Sequence, residues 1–371
     1  MKYEPVFKMS RSNVIVTDVY TRSYMKYGSI VTIKNGKWEM FLSEESLKKC
    51  SEEGYLFALD KNKYKEFENK YPFFKEKFRK LKEINIEQLN KEEFLEFLEE
   101  VEKLFVYFYD TYRETEFFYF TKLEKELKSY IQKENKFSLQ ELLSNKVDLA
   151  LLPEKMRKLA DYIINMQHLK FEYRKILNEV ALGENVFLWK LLRQLVTRTN
   201  REDAVSMTLK EFKNVLNGEK MKDVSERHVY SFITWDKEKK ELNILSGSEA
   251  YKKIRELDKD LPKNEVIGEC ACSGIARGRV RIVANLRHLL KFKKGEILVA
   301  GTTGPEKVVA IEKAAAIVTE EGGMMSHAAI ISREFDIPCV VGTKYATKVF
   351  KDGDFIEVNA NNGVVRKIDD L

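Results

Sequence analysis

The chain has 371 residues, 44% of them hydrophobic and 33% charged, and its 65 basic residues against 59 acidic ones leave a formal charge of +6. That length calls for two or three domains with substantial cores. The interleaved charges, as in KNKYKEFENKYPFFKEKFRKLKE, mark solvated helix faces and argue against a nucleic-acid surface, where basic residues stand without acidic partners.

The start, MKYEPVFKMSRSNVIVTD, lacks the apolar core of a signal peptide. No apolar run approaches the ~20 residues that span a bilayer. A cytoplasmic protein with no membrane and no nucleic-acid partner is expected. Cys270 and Cys272 form a CxC pair, with Cys50 and Cys339 elsewhere. No second pair or nearby histidine completes a zinc set, so structural thiols are expected and no metal ligands.

In chain order, residues 1–75 are expected to form a small mixed α/β unit. NVIVTDVY, GSIVTIKNG and KWEMFL read as short strands, with KNGK as a hairpin turn. Residues 76–260 are expected to be a helical domain with a strand pair near 228–246. Asn90 followed by Glu93 has the pattern of a capping box. Phe94, Phe97, Leu98, Val101, Leu104, Phe105, Phe108 and Tyr112 then recur at helical spacing. The aromatic stretch ETEFFYFTKLEKEL reads as one helix, its rings either filling a core or lining a ligand pocket. Further helices are expected over 154–180 and 184–198, at TLKEFKNVLNG and at SGSEAYKKIRELDKDL, with HVYSFITWDKEKKELNILSG as two strands.

Residues 1–260 hold only six of the 17 glycines, and 261–371 hold eleven. Pro262 marks the join. From there ARGRVRIV, GEILVA, AAAIVTEE, IPCVVGT and GDFIEVNANNGVVRKI read as strands between helices at TTGPEKVVAIEKA and GGMMSHAAIISREF. Alternating elements of this kind imply a compact α/β layer structure over 262–371. The whole chain is thus expected to be multi-domain, α followed by α/β.

The stretch TEEGGMMSHAAIISREF holds one of only four histidines. Gly322 and Gly323 permit unusual backbone angles and close approach. Ser326 is a good N-cap. His327 then falls in the first helical turn, where unpaired N–H groups and the helix dipole favour an anion and disfavour an imidazolium. A neutral, nucleophilic imidazole there could accept a phosphoryl group. By local pattern alone, a lone histidine at a helix start is more often a cap or packing residue. No HxxxH, HExxH or serine–histidine–acid arrangement is visible in the spacing.

CSGIARGRVRIV, KKGEILVA with TTGPE, AAAIVTEEGGMMSHAAIISREFDIPCVVGT and DGDFIEVNANNGVVR, in that order, resemble the mobile phosphohistidine domain of the phosphoenolpyruvate-utilising enzymes. Pyruvate phosphate dikinase, phosphoenolpyruvate synthase, enzyme I of the sugar phosphotransferase system and rifampin phosphotransferase share that domain. The resemblance implies a swivelling domain over 262–371 with His327 as phosphoryl carrier. Gly322 and Gly323 would give backbone room, and Ser326 would orient the ring or cap the helix. Arg333 would contact phosphate or support the fold. Thr302 and Thr303 would approach the histidine or simply form a turn. RHVYSFITWDKEKKELNILSGSEA resembles, less specifically, the helical region preceding that domain in rifampin phosphotransferase and phosphoenolpyruvate synthase-like proteins.

The charging domains of that family have no counterpart in the sequence. Residues 1–260 contain no GxxxxGK[ST] and no GxGxxG, and no room for a barrel of ~250 residues is expected after Leu371. The expectation is one component of a split phosphotransferase. A separate ATP-grasp or phosphoenolpyruvate-binding protein would charge it, with ATP and magnesium, or phosphoenolpyruvate, supplied through that partner. A small-molecule acceptor would discharge it. The alternative is a non-catalytic regulatory or scaffold protein that uses the same domain for partner binding.

Overall fold

A computed structural model describes residues 3–9, 14–24, 27–60, 62–134, 137–143, 147–182, 187–236, 238–239, 241–258, 261–284, 286–304, 307–323 and 326–369. The chain divides into two compact units. One comprises 1–3 and 11–254, the other 4–10 and 255–371.

The larger unit is mainly helical. The strands Ile30–Lys34 and Lys37–Ser43 form a hairpin whose turn residues Asn35 and Gly36 have φ of 50° and 71°, the left-handed pair a tight two-residue turn requires. Ile30–Lys34 also pairs with Tyr230–Asp236, which pairs in turn with Glu241–Ser246. Both hairpins thus share one antiparallel sheet.

NVIVTDVY, expected as a strand, is instead within the helix Val14–Ser23, with Asn13 outside the described residues. The β-branched run favours a strand locally, but tertiary contacts decide the outcome. Asp18, Val19, Tyr20, Thr21, Ser23 and Tyr24 are all buried, so little amphipathic period remains to be seen among residues 18–24. Asp18 binds Arg22 one turn on at 2.7 Å and accepts the Leu209 N–H at 3.1 Å.

The capping box at Asn90 and Glu93 is present and opens the helix Lys91–Tyr112. Phe74, Phe78, Phe105 and Phe108 meet edge to face with centroids 5.1–5.3 Å apart, the favourable arrangement of ring quadrupoles. ETEFFYFTKLEKEL is not one helix: two 3-10 turns precede the helix Thr121–Glu134. Phe118, Tyr119 and Phe120 are buried in these turns, so their rings fill core. Helices Glu154–Leu177, Phe187–Thr199, Leu209–Leu216 and Gly247–Leu257 complete the pattern. Residues 184–186 of the expected 184–198 helix lie outside the described residues.

The smaller unit is built on eight strands in the order Glu265–Ile267, Val364–Lys367, Phe355–Asn359, Ile275–Ile282, Ile297–Ala300, Ala316–Thr319, Cys339–Val341 and Glu269–Cys272. The strands from Ile275–Ile282 to Cys339–Val341 run parallel, and the flanking pairs are antiparallel. Strict alternation fills two cores. Ile297, Val299, Ala316, Val318 and Val340 face one, while Leu298, Ala300, Ile317, Cys339 and Val341 face the other, as a two-residue period demands. The two edge strands are consecutive in sequence, with Gly268 between them, so the sheet curls back on itself. Gly268 donates to the Gly363 carbonyl at 2.8 Å. A Cβ on Gly268 would come within 2.4 Å of the Val341 carbonyl oxygen, so only glycine fits at this closure.

Candidate functional site

Three loops leave the carboxyl ends of the parallel strands Ile297–Ala300, Ala316–Thr319 and Cys339–Val341, the edge of a parallel sheet where ligands characteristically bind. Backbone bonds join them. Glu320 N–H donates to Ala300, Glu321 to Gly301, Thr343 to Thr319 and Lys344 to Glu320, all at 2.9–3.0 Å. Beneath them the buried Glu320 carboxylate accepts from the Thr347 N–H at 2.8 Å and its hydroxyl at 2.7 Å. Thr343 Oγ1 donates to the Thr319 carbonyl at 2.9 Å.

Gly322 has φ 109°, and a Cβ there would lie 2.7 Å from that of Ser326, so the tight passage requires glycine. Gly323 offers its carbonyl to the Ser326 N–H at 2.9 Å. Met324 and Met325 lie outside the described residues. Ser326 is the N-cap of the helix His327–Glu334, and its Oγ accepts the Ala329 N–H at 3.3 Å, satisfying one of the orphan donors of the first turn. Ala328, Ala329 and Ser332 are buried, with the two alanines in the core against the sheet. That packing fixes the helix's rotation and leaves His327 half-buried at its start.

Thr303, on the loop after Ile297–Ala300, places Oγ1 3.2 Å from His327 Nδ1. Thr302 is exposed, and its carbonyl accepts from the Lys307 ammonium. The structure therefore gathers Gly322, Gly323, Ser326, Thr303 and His327 in one cluster, with Thr302 beside it. Arg333 is directed elsewhere: its Nη1 donates to the Ala271 carbonyl at 3.3 Å. Burial pulls its guanidinium below the ordinary arginine range. Glu320, Thr343, Lys307 and Gly342, where a Cβ would lie 3.1 Å from the Gly322 carbonyl oxygen, join the site without having been picked out from sequence. The doubled carboxylate in TEEGG and the glycine of VVGT are the signals that pointed to two of them.

Cys272 and Cys339 are register partners across antiparallel strands on the sheet beneath this helix. Burial pushes the Cys339 thiol up to about 12, and its Sγ sits 3.9 Å from the Ala328 carbonyl. A thiol so desolvated is held protonated and is a packing group. Among the described residues no group of three or more histidine, cysteine, aspartate or glutamate side chains is arranged to hold a metal ion, and no helix is long and apolar enough to cross a membrane.

Residues 292–363 match the family described as "PEP-utilising enzyme, mobile domain". A probable phosphoenolpyruvate synthase of Archaeoglobus fulgidus is 45% identical over 129 residues, 35% of this chain and 16% of that protein. The phosphoenolpyruvate synthase of Pyrococcus furiosus is 49% identical over 110 residues, 29% of this chain and 14% of its own length. An uncharacterised phosphotransferase of Bacillus subtilis is 41% identical over 108 residues, 29% and 13% of the two chains. The chain thus matches about a seventh of the length of these relatives. Its C-terminal segment is a mobile domain of the phosphoenolpyruvate-utilising family.

Proposed function

We propose that the chain is a phosphoryl-transfer component in which His327 carries the phosphoryl group. The contact between Thr303 Oγ1 and His327 Nδ1 at 3.2 Å carries this reading. With the proton on Nδ1 and donated to Thr303, Nε2 holds the lone pair and becomes the attacking nitrogen. In the charging step the Nε2–P bond forms as the donor's P–O bond breaks, and the oxygen leaves with its electron pair. In the second step an acceptor hydroxyl oxygen attacks phosphorus and releases its proton to solvent, the P–N bond breaks with its electron pair returning to Nε2, and the imidazole returns to its neutral form. Backbone N–H groups at the start of the helix His327–Glu334 meet the charge that develops on the phosphoryl oxygens.

The donor in this reading is a separate ATP-grasp or phosphoenolpyruvate-binding protein. Magnesium enters with the nucleotide on that partner, and a small hydroxylated molecule is the acceptor. The test is intact mass at alkaline pH after incubation with ATP or phosphoenolpyruvate, with and without extract of the source organism, beside His327→Ala. An acid-labile gain of one phosphoryl group that needs both extract and His327 supports the split enzyme. Equal gain in His327→Ala sinks the carrier assignment. Labelling of His327 with no turnover of any acceptor favours a regulatory scaffold instead.

A further inference from the structure

Loops are the more mobile parts of a fold unless contacts tie them down. Thr303 touches His327 Nδ1 at 3.2 Å, yet it stands three residues beyond the end of the strand Ile297–Ala300. The path to it is held from the neighbouring loop. The Glu320 N–H donates to the Ala300 carbonyl at 3.0 Å, and the Glu321 N–H to the Gly301 carbonyl at 2.9 Å. The Glu320 carbonyl in turn accepts the Lys344 N–H at 3.0 Å. The backbone of Glu320 thus joins its own loop to the other two.

Its side chain repeats the pattern. The Glu320 residue is 3% exposed. Oε1 accepts from the N–H and the hydroxyl of Thr347 at 2.8 and 2.7 Å, which fixes the carboxylate to the helix Ala346–Val349. Oε2 lies toward Gly301, 3.8 Å from where a Cβ on that residue would stand. Gly301 comes two residues before Thr303. Burying a carboxylate costs desolvation that an apolar side chain of similar volume avoids, so packing alone does not call for one here.

Resting on the assignment of His327 as carrier, we propose that Glu320 is a positioning residue for phosphoryl transfer. Anchored on Thr347, its carboxylate braces the chain at Gly301 and so keeps the Thr303 hydroxyl on Nδ1, which leaves the lone pair on Nε2.

The test uses the full chain and potassium phosphoramidate, a small donor that needs no partner protein: its P–N bond breaks, ammonia leaves and the new N–P bond forms on histidine. The labelling rate at His327 is read by intact mass at alkaline pH, and the ring tautomer by the imidazole nitrogen shifts in NMR. Glu320→Ala is expected to slow labelling about three- to tenfold and to move the nitrogen shifts toward the Nε2-protonated form, as loss of one oriented hydrogen bond requires. In the Thr303→Val background the same substitution should change the rate by no more than about twofold, because the contact it serves is already gone. Thr347→Val removes only a donor to the carboxylate. It is expected to slow labelling about two- to threefold, with nitrogen shifts displaced in the same direction, and it decides alone if Glu320→Ala does not fold. A parent chain that is not labelled, or that labels equally as His327→Ala, overturns the carrier assignment itself. If His327 labels normally, three results overturn the role of Glu320 alone: a parent-like rate and parent-like nitrogen shifts in Thr347→Val, nitrogen shifts in a folded Glu320→Ala that match the parent, or an equal loss from Glu320→Ala with and without the Thr303 hydroxyl.

Discussion

Thr303 Oγ1 and His327 Nδ1 lie 3.2 Å apart although Thr303 is on one loop and His327 opens the helix that follows another. The parallel strands carrying those loops are in register, with Ala300 opposite Thr319, and this register sets the contact. The hydroxyl and the imidazole therefore meet before any phosphoryl group arrives, and the ring is oriented in advance.

Removing that hydroxyl should release the tautomer. We expect Thr303→Val to shift the neutral ring toward the Nε2-protonated form, seen in the imidazole nitrogen shifts by NMR, and to slow phosphoramidate labelling by about three- to tenfold. Thr303→Ser should behave as the parent. Unchanged nitrogen shifts in the valine variant would falsify the tautomer assignment.

Gly363 has φ 69°, and a Cβ there would sit 2.2 Å from the Gly268 carbonyl oxygen, at the point where the sheet closes. Gly363→Ala combines a left-handed angle with a backbone clash, and is expected to cost about 2–3 kcal/mol. Gly353 shares the positive φ at 88° but has open space around it, so Gly353→Ala should cost about 1 kcal/mol. Calorimetry of the two variants decides: equal shifts in Tm would mean that the closure at Gly268 is not tight.

Glu211 closes the capping box of helix Leu209–Leu216 and takes both arms of the Arg227 guanidinium at 2.7 and 2.9 Å. Burial raises its carboxyl, but Arg227 outweighs it and holds the group below the ordinary 4.5. A carboxyl depressed by folding adds stability that is complete above its unfolded value and is lost as pH falls through the folded one. Urea unfolding at pH 7 should find Glu211→Gln less stable by about 1–2 kcal/mol. That gap should shrink steadily below pH 4.5. A gap that stays constant from pH 7 down to the lowest pH at which the parent remains folded would assign the loss to packing and not to charge.

The four thiols should separate by burial. Cys50 and Cys339 are fully buried, with thiols pushed up to about 11 and about 12, whereas Cys270 and Cys272 are half-buried. Iodoacetamide at pH 8, followed by peptide mapping, should modify Cys270 and Cys272 in the native chain, and Cys50 and Cys339 only after unfolding. Rapid native modification of Cys339 would show that the helix His327–Glu334 separates from the sheet on that timescale.

Much of the candidate site is local and therefore legible in the sequence. The Ser326 cap, the Gly322 turn and the placement of His327 in a first helical turn depend on residues within one short stretch, because capping and left-handed turns are satisfied by near neighbours. The strands are legible for the same reason: the alternation of ARGRVRIV and the short apolar runs in GEILVA and AAAIVTEE are properties of each strand alone. The helix Val14–Ser23 was not legible, since its β-branched run favours a strand locally and the burial of Asp18, Val19, Tyr20, Thr21 and Ser23 leaves little amphipathic pattern among residues 18–23.

By itself, then, the sequence determined many of the helices and strands, the caps at Asn90 and Ser326, and the match of residues 292–363 to the mobile-domain family. Only the tertiary structure decided which strands pair, such as Val31 with Ile233, and which side chains surround His327. Those depend on register between segments far apart in the chain. Thr303 reached Nδ1 because parallel pairing fixes where the loops converge, and Arg333 turned to Ala271 because the antiparallel edge strand Glu269–Cys272 lies beside its helix. Pairing of that kind is selected by packing of both sheet faces, which no single stretch of residues specifies.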